Sequence, residues 1–257
     1  MNEEKGSVGY EMREDIAYIT LNSPPLNILT RALMDEISEA LERAAADSTV
    51  KAVAFTAVGK AFSGGADIDE HRPEQVGEMI ASFTRMFSLL DALELPVVMA
   101  VNGAALGGGF ELVMMADVLL ATEDATFGQP EIRLGFFAPV GVIRLPELVG
   151  TARALEITCS GRTYNAAEMK EMGVVTQVVP DEGLEEALEA VLKDFRRSSP
   201  LVMRINVRTL KNLRGHPYQE ALVESERIFL EELMKTEEPL EGINSFYEKR
   251  RPEWKNR

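Results

Sequence analysis

Apolar and polar positions change period along this chain, and the changes separate sheet from helix. Over 8–12 and 16–21 apolar residues alternate with others around Glu14 and Asp15, which predicts a hairpin. Thr30 is placed to cap a helix reaching about Ala46, because Leu33, Ile37, Ala40, Leu41 and Ala44 recur at helical spacing. A strand over 52–57 and a helix over about 74–93 follow, and Pro96 separates that helix from a short apolar strand over 97–101. Further strands are predicted at 118–121 and 174–178, with helices at 151–159, 166–172 and about 183–197. This alternation is α/β logic, with helices packed outside sheets. Between them, 126–139 holds too many Gly and Pro residues for regular structure and is conspicuously apolar, so it is expected to be a loop that lines something. After Pro200 the pattern turns wholly helical, over 201–213, 218–234 and 240–249. We therefore divide the chain into a core over 1–199 and a helical region over 200–257. The apolar faces of that region need partners from this chain or a neighbour.

The core is organised around the strand that ends at Val101. It runs through an Asn102-Gly103 turn signal into Gly107, Gly108 and Gly109, where a helical pattern begins. A helix start leaves backbone N–H groups unpaired and partly positive, and glycine lets a ligand approach that backbone closely. Such a place can hold a developing oxyanion. Three glycines also serve tight helix-sheet packing, and taken alone they leave both readings open. Neither nucleotide-loop spacing is present, so a phosphate cradle is not expected. A second glycine-bearing loop, 58–68, follows the strand at 52–57.

Composition narrows the class. The 257 residues carry 42 acidic against 27 basic side chains, a formal net charge of −15, which opposes broad contact with nucleic acid or anionic membranes. One cysteine, Cys159, excludes an intrachain disulfide, and its setting predicts burial as a small apolar residue. With no apolar leader and no apolar run near ~18 residues, a soluble, cytoplasmic chain is expected. Only two histidines, His71 and His216, make a metal site an unattractive reading.

Two carboxylates stand out by context. Glu111 falls on the first turn of the helix that starts at Gly108, and Glu131 follows Pro130 in the apolar loop. Singly, the first suits a helix dipole and the second a cap for the following segment. Neither explanation accounts for both lying beside glycine-rich or apolar loops.

Three blocks, Phe62-Ser-Gly-Gly-Ala-Asp-Ile68, Asn102-Gly-Ala-Ala-Leu-Gly-Gly-Gly-Phe-Glu111 and Phe127-Gly-Gln-Pro-Glu131, resemble the enoyl-CoA hydratase/isomerase (crotonase) family. A C-terminal segment, Glu241-Gly-Ile-Asn-Ser-Phe-Tyr-Glu-Lys-Arg250, extends the resemblance over nearly the whole chain. It implies a crotonase-like spiral of ββα units with a C-terminal helical trimerisation region, assembled as a trimer or a pair of trimers. It implies an acyl-CoA substrate with no separate cofactor, coenzyme A being part of the substrate. By the same likeness the amides of Ala66 and Gly108 form the oxyanion hole for a thioester carbonyl. Glu111 and Glu131 match the pair with which hydratases activate water and exchange the α proton. Coenzyme A is implied to run past Pro25, Leu26 and the Ala66-Asp67-Ile68 turn. Gly107, Pro130, Gly135, Phe136 and Phe137 complete the expected substrate contacts.

Two departures from the family pattern bear on substrate. Asp69-Glu70 is acidic where many relatives carry a lysine, which leaves the phosphates to other groups; Lys249 and Arg250 of a neighbouring tail are candidates, and a solvated helix end is the alternative. After Glu131 the chain reads Phe136-Phe-Ala-Pro-Val-Gly-Val-Ile-Arg-Leu-Pro146 instead of a small-residue loop. That stretch and Glu70-His-Arg-Pro-Glu74 are similar to cyclohexa-1,5-diene-1-carbonyl-CoA hydratases, although Phe136 and Phe137 also suit ordinary core positions and His71 a surface one. Competing readings are an isomerase or ring-cleaving hydrolase of the same family, a Clp-type serine protease using Ser63 and His71, and a non-catalytic acyl-CoA binder. The protease lacks a Gly-x-Ser-x-Gly elbow, and a binder has no need of two glutamates at the thioester.

Overall fold

The computed structural model describes residues 7–257. In chain order its elements are β1 (Val8–Arg13), β2 (Ile16–Leu21), α1 (Arg31–Ala46), β3 (Ala52–Ala57), β4 (Ala61–Ser63), α2 (Val76–Ala92), β5 (Val97–Val101), β6 (Ala104–Leu106) and α3 (Gly108–Val113). Then come β7 (Val118–Thr122), β8 (Thr126–Gly128), a 3-10 helix at Pro130–Leu134, α4 (Gly141–Val149), α5 (Thr151–Ser160), β9 (Thr163–Asn165), α6 (Ala166–Met172) and β10 (Gln177–Val179). The chain closes with α7 (Leu184–Phe195), α8 (Pro200–Asn212), α9 (Tyr218–Glu231) and α10 (Glu238–Glu248).

The strands form two sheets, ordered β1-β2-β3-β5-β7-β10 and β4-β6-β8-β9. Successive strand pairs divide between them: β3, β5 and β7 lie in the larger sheet, and β4, β6 and β8, which follow them, in the smaller. Each pair leads into helix, so the ββα spiral expected from the resemblance is the architecture observed. Apart from the β1-β2 hairpin, the larger sheet is parallel. The ends of its strands therefore share one edge, where the glycine-bearing loops after β3 and β5 meet.

Both faces of the larger sheet are covered, which explains why its strands read as apolar runs. Successive side chains point to opposite faces. Ala17, Ile19, Val53, Phe55, Val97 and Met99 join the main core with α1 and α2. Ile16, Tyr18, Ala52, Ala54, Val98 and Ala100 face Ala187, Leu188 and Leu192 of α7. Thr30 caps α1, its hydroxyl accepting from the Leu33 amide at 3.2 Å. Beyond the core, α8 stitches to earlier helix ends: Lys211 Nζ donates to the carbonyls of Leu90 and Leu93 at 2.9 Å each, and Arg204 donates to the Asp47 carbonyl at 2.6 Å. Cations at the carboxyl ends of α2 and α1 complement their dipoles.

Several local expectations are corrected. The segment 126–139 is not irregular throughout: β8 pairs parallel with β6 and antiparallel with β9, and a 3-10 helix follows. Three-residue strands are too short to show a period. The pattern also gave no helix at 141–149, where α4 carries Pro146 in its interior, against the usual rule. The strand predicted at 174–178 begins at Gln177, because Gly173 ends α6 in a left-handed conformation and Val174 and Val175 bond back to Met169. Cys159 is exposed. On α5 the buried face carries Ala154 and Ile157, and two residues on, about 200° around the helix, Cys159 points away from it. Among the described residues no helix is long and apolar enough to cross a membrane.

Candidate active site

At the carboxyl edge of the sheets, the loop after β4 lies against the loop between β6 and α3. The two touch through backbone, which is why glycine recurs. In the β5–β6 turn a Cβ at Gly103 would fall 2.0 Å from the Lys60 carbonyl oxygen of the β3–β4 turn, and on α3 one at Gly109 would fall 2.6 Å from that of Ser63 at the end of β4. These two glycines serve packing. Gly107 and Gly108 serve the cavity. Gly107 has φ of 55°, and a Cβ there would lie 2.8 Å from Glu131 Oε1; one at Gly108 would lie 3.2 Å from the Ala66 amide nitrogen. The triplet thus divides: Gly109 abuts the Ser63 backbone, whereas Gly107 and Gly108 border the cavity.

The amides of Ala66 and Gly108 are free. Leu29 donates to the Gly65 carbonyl at 2.9 Å and accepts from the Asp67 amide at 3.2 Å, so the residue between, Ala66, turns its own N–H away from that bridge. Gly108 is the first residue of α3, whose first intrahelical acceptor, the Gly107 carbonyl, is taken by Glu111 at 2.9 Å. Neither amide has an acceptor among the described residues. Two unpaired donors on abutting backbones can bind a developing oxyanion.

Both carboxylates reach the same space. Glu111 is 2% exposed, and its Oε1 accepts from the amides of Val140 at 2.6 Å and Gly141 at 2.9 Å. Burial pushes its carboxyl up to about 7; the Gly141 and Val140 amides hold it down and the nearby Glu131 charge raises it further. Burial pushes Glu131 up to about 6, opposed by its own backbone amide. Gln129, almost fully buried, is oriented so that its amide nitrogen donates to both Glu131 oxygens at 2.9 Å each; the reverse orientation would set oxygen against oxygen. Those bonds favour the ionised form. Gln129 lies inside a motif block yet received no role from sequence reasoning. Its signal is a lone amide between a buried strand and a proline.

The cavity holding these groups has a volume of about 630 Å3. Ala66, Asp67, Ile68, Gly107, Gly108, Pro130, Gly135, Phe136 and Phe137 line it with the two glutamates. Pro25 and Leu26 do not; Leu26 is held outside by its carbonyl accepting from the Gly64 amide at 2.7 Å. Phe136 and Phe137 are not core aromatics, for Phe137 is 66% exposed and both form cavity wall. His71 also reaches the cavity, half-buried, while Arg72 turns to Asp69. Ser63 is buried and its hydroxyl donates to the Asn27 carbonyl at 2.9 Å, so no Ser63–His71 pair exists and the protease reading is withdrawn. Among the described residues no Lys or Arg lines the cavity. Arg250 is exposed just beyond α10 and pairs with Glu241 and Glu248 of its own chain.

The enoyl-CoA hydratase/isomerase family profile matches residues 11–257. The chain belongs to the enoyl-CoA hydratase/isomerase family. It is 39% identical over 251 residues to a probable enoyl-CoA hydratase of Rhizobium meliloti, covering 96% of this chain and 97% of that one. It is 34% identical over 239 residues to cyclohexa-1,5-dienecarbonyl-CoA hydratase of Thauera aromatica, covering 93% and 92%. Among solved structures, enoyl-CoA hydratase from Bacillus anthracis superposes with a TM-score of 0.93 at 31% identity, covering 98% and 100%.

The raised carboxyl of Glu111 has a stability consequence in this family member. A group whose folded pKa exceeds its unfolded value binds more protons when folded, so it takes stability away as pH rises from about 4.5 to about 7. Glu111→Gln removes that loss. In denaturant titrations the variant should match the parent near pH 4.5 and exceed it at pH 8 by up to roughly 3 kcal/mol. Equal differences at both pH values would refute the assignment.

Proposed function

We propose that this protein is a hydratase-type lyase that adds water to, or removes it from, an α,β-unsaturated acyl-CoA thioester. The observation that carries this reading is the convergence on one cavity of two free amides and two carboxylates with raised pKa values. The amides of Ala66 and Gly108 take the thioester oxygen as it gains charge. In hydration, Glu111 accepts a proton from water while the water oxygen bonds to the β carbon. The electron pair moves toward the thioester oxygen, and Glu131 delivers a proton to the α carbon. Dehydration reverses each step: ionised Glu131 removes the α proton and protonated Glu111 gives its proton to the departing hydroxyl. Between about pH 6 and 7 the pair holds one proton, with burial favouring it on Glu111. Both members must differ in protonation for either direction, so the rate should follow a bell-shaped curve falling on both sides of that window.

The acyl group we assign is bulky, such as a cyclic dienoyl group of aromatic degradation. Support comes from the aromatic wall of Phe83, Phe136 and Phe137 and from the likeness to the Thauera aromatica hydratase. Incubation with linear, monocyclic and dienoyl CoA thioesters, with products resolved by mass, tests both levels. Gain or loss of one water identifies the class and the preferred thioester the acyl group. Isomerised or hydrolysed products would replace this reading.

We also propose a homo-oligomer, a trimer or a pair of trimers, built through 200–257, in the cytoplasm. Leu210, Val223, Phe229, Leu240, Phe246 and Tyr247 are all exposed on α8, α9 and α10, with Phe246 at 77% and Tyr247 at 78%. Apolar surface of that extent calls for cover. A reducing compartment suits an exposed Cys159 thiol. Light scattering at micromolar concentration should give a multiple of 28.4 kDa, and a monomer mass would end the assembly proposal.

A further inference from the structure

The cavity is lined by the loop backbone with the free amides, by the two glutamates, and by the hydrocarbon side chains of Val76, Met79, Ile80, Phe83, Phe136 and Phe137. His71 also lines it, beside Phe136. Asp67 and Asp69 also reach the cavity, but Asp67 Oδ1 accepts from the amides of Asp69 and Glu70, and Asp69 holds Arg72. They are engaged with their own loop.

The histidine ring is held in one orientation. Its Nδ1 lies 2.7 Å from the Asp67 carbonyl oxygen, and its ring centroid lies 4.9 Å from that of Phe136. A carbonyl only accepts, so Nδ1 carries the proton, and in the neutral ring Nε2 is left with a lone pair. The ring is tilted 45° to that of Phe136, and with Nδ1 tied to backbone, the Nε2 edge of this cavity-lining side chain has no hydrogen-bond partner among the described residues. A hydrocarbon group against that edge would strip its water and return nothing, whereas a hydroxyl would donate to it.

We propose that His71 is a specificity-determining residue whose Nε2 accepts a hydrogen bond from a hydroxyl carried by the acyl group beyond its β carbon. The site then selects hydroxylated acyl-CoA thioesters over hydrocarbon ones of the same shape. The inference rests on the acyl-CoA reading and adds to it the substituent that the distal pocket reads. Phe136 and the Asp67 carbonyl are positioning groups for the ring.

The test uses saturated acyl-CoA thioesters, which bind without reacting, in matched sets bearing an alkyl, hydroxyl or methyl ether group at successive carbons of a chain or ring. Calorimetric Kd values are measured for the parent, His71→Phe and His71→Gln, and turnover is followed on the corresponding unsaturated thioesters. At one position the hydroxyl compound should bind the parent about tenfold more tightly than the alkyl and ether compounds. His71→Phe should bring the ratio to about one, and His71→Gln, which keeps an acceptor, should restore part of it. A parent with no hydroxyl preference at any position, or a preference that survives in His71→Phe, overturns the inference. Hydroxyl-selective binding with no water gained or lost would sink the hydratase reading and leave His71's role standing. Water addition without selectivity does the reverse.

Discussion

Replacing Glu131 by Gln should lower turnover of the preferred unsaturated acyl-CoA by at least ~10²-fold, with thioester binding largely preserved. The substitution keeps shape and removes the carboxylate to which we assign exchange of the α proton. Gln129, which donates to both oxygens of Glu131, can still donate to the one oxygen that remains. Glu111→Gln should cost a similar factor, since the Val140 and Gly141 amides still have an oxygen to donate to but the base we propose for the water is gone. Deuterium exchange at the α carbon separates the two roles. Glu131→Gln should abolish exchange, and Glu111→Gln should abolish addition of labelled water. If Glu131→Gln stops exchange while Glu111→Gln leaves water addition intact, the enzyme is a one-base isomerase or another catalyst, and the hydratase assignment goes.

Gly108→Ala should be nearly as damaging for a different reason. Its methyl would stand 3.2 Å from the Ala66 nitrogen, 3.5 Å from the Ala66 Cβ and 3.6 Å from Leu29 Cδ1. These contacts are tight but fall short of a backbone collision, and alanine suits the first turn of a helix. The variant should therefore fold, with a melting temperature near that of the parent. What it loses is the space between the two free amides, and obstruction of an oxyanion donor costs about 10²–10³ in turnover. Gly109→Ala is the contrast, because its methyl would lie 2.6 Å from the Ser63 carbonyl and 2.7 Å from the Ser63 Cβ, so folding should fail before catalysis is at issue. A Gly108→Ala enzyme within tenfold of the parent rate would show that the thioester oxygen lies elsewhere.

Much of this was legible along the chain, because period, caps and glycine triplets are local signals. Alternation around Glu14 and Asp15 marked the hairpin, Thr30 marked the start of α1, and the wholly helical pattern after Pro200 marked the end of the sheets. Motif order supplied the family and the pair Glu111 and Glu131. What only the tertiary structure decided is what depends on which segments meet across the sheet edge. Gly107 and Gly108 face the cavity while Gly103 and Gly109 face backbone, a distinction fixed by the neighbours each would strike and invisible in a run of glycines. Phe136 and Phe137 form cavity wall because the turn at Gly135, with φ of 86°, directs the chain away from the core there. The raised carboxyls belong to the same class of fact: burial at 111 comes from the 140–141 backbone closing over it, 29 and 30 residues downstream. A sequence records the carboxylate, and only the folded chain sets the solvent it sees.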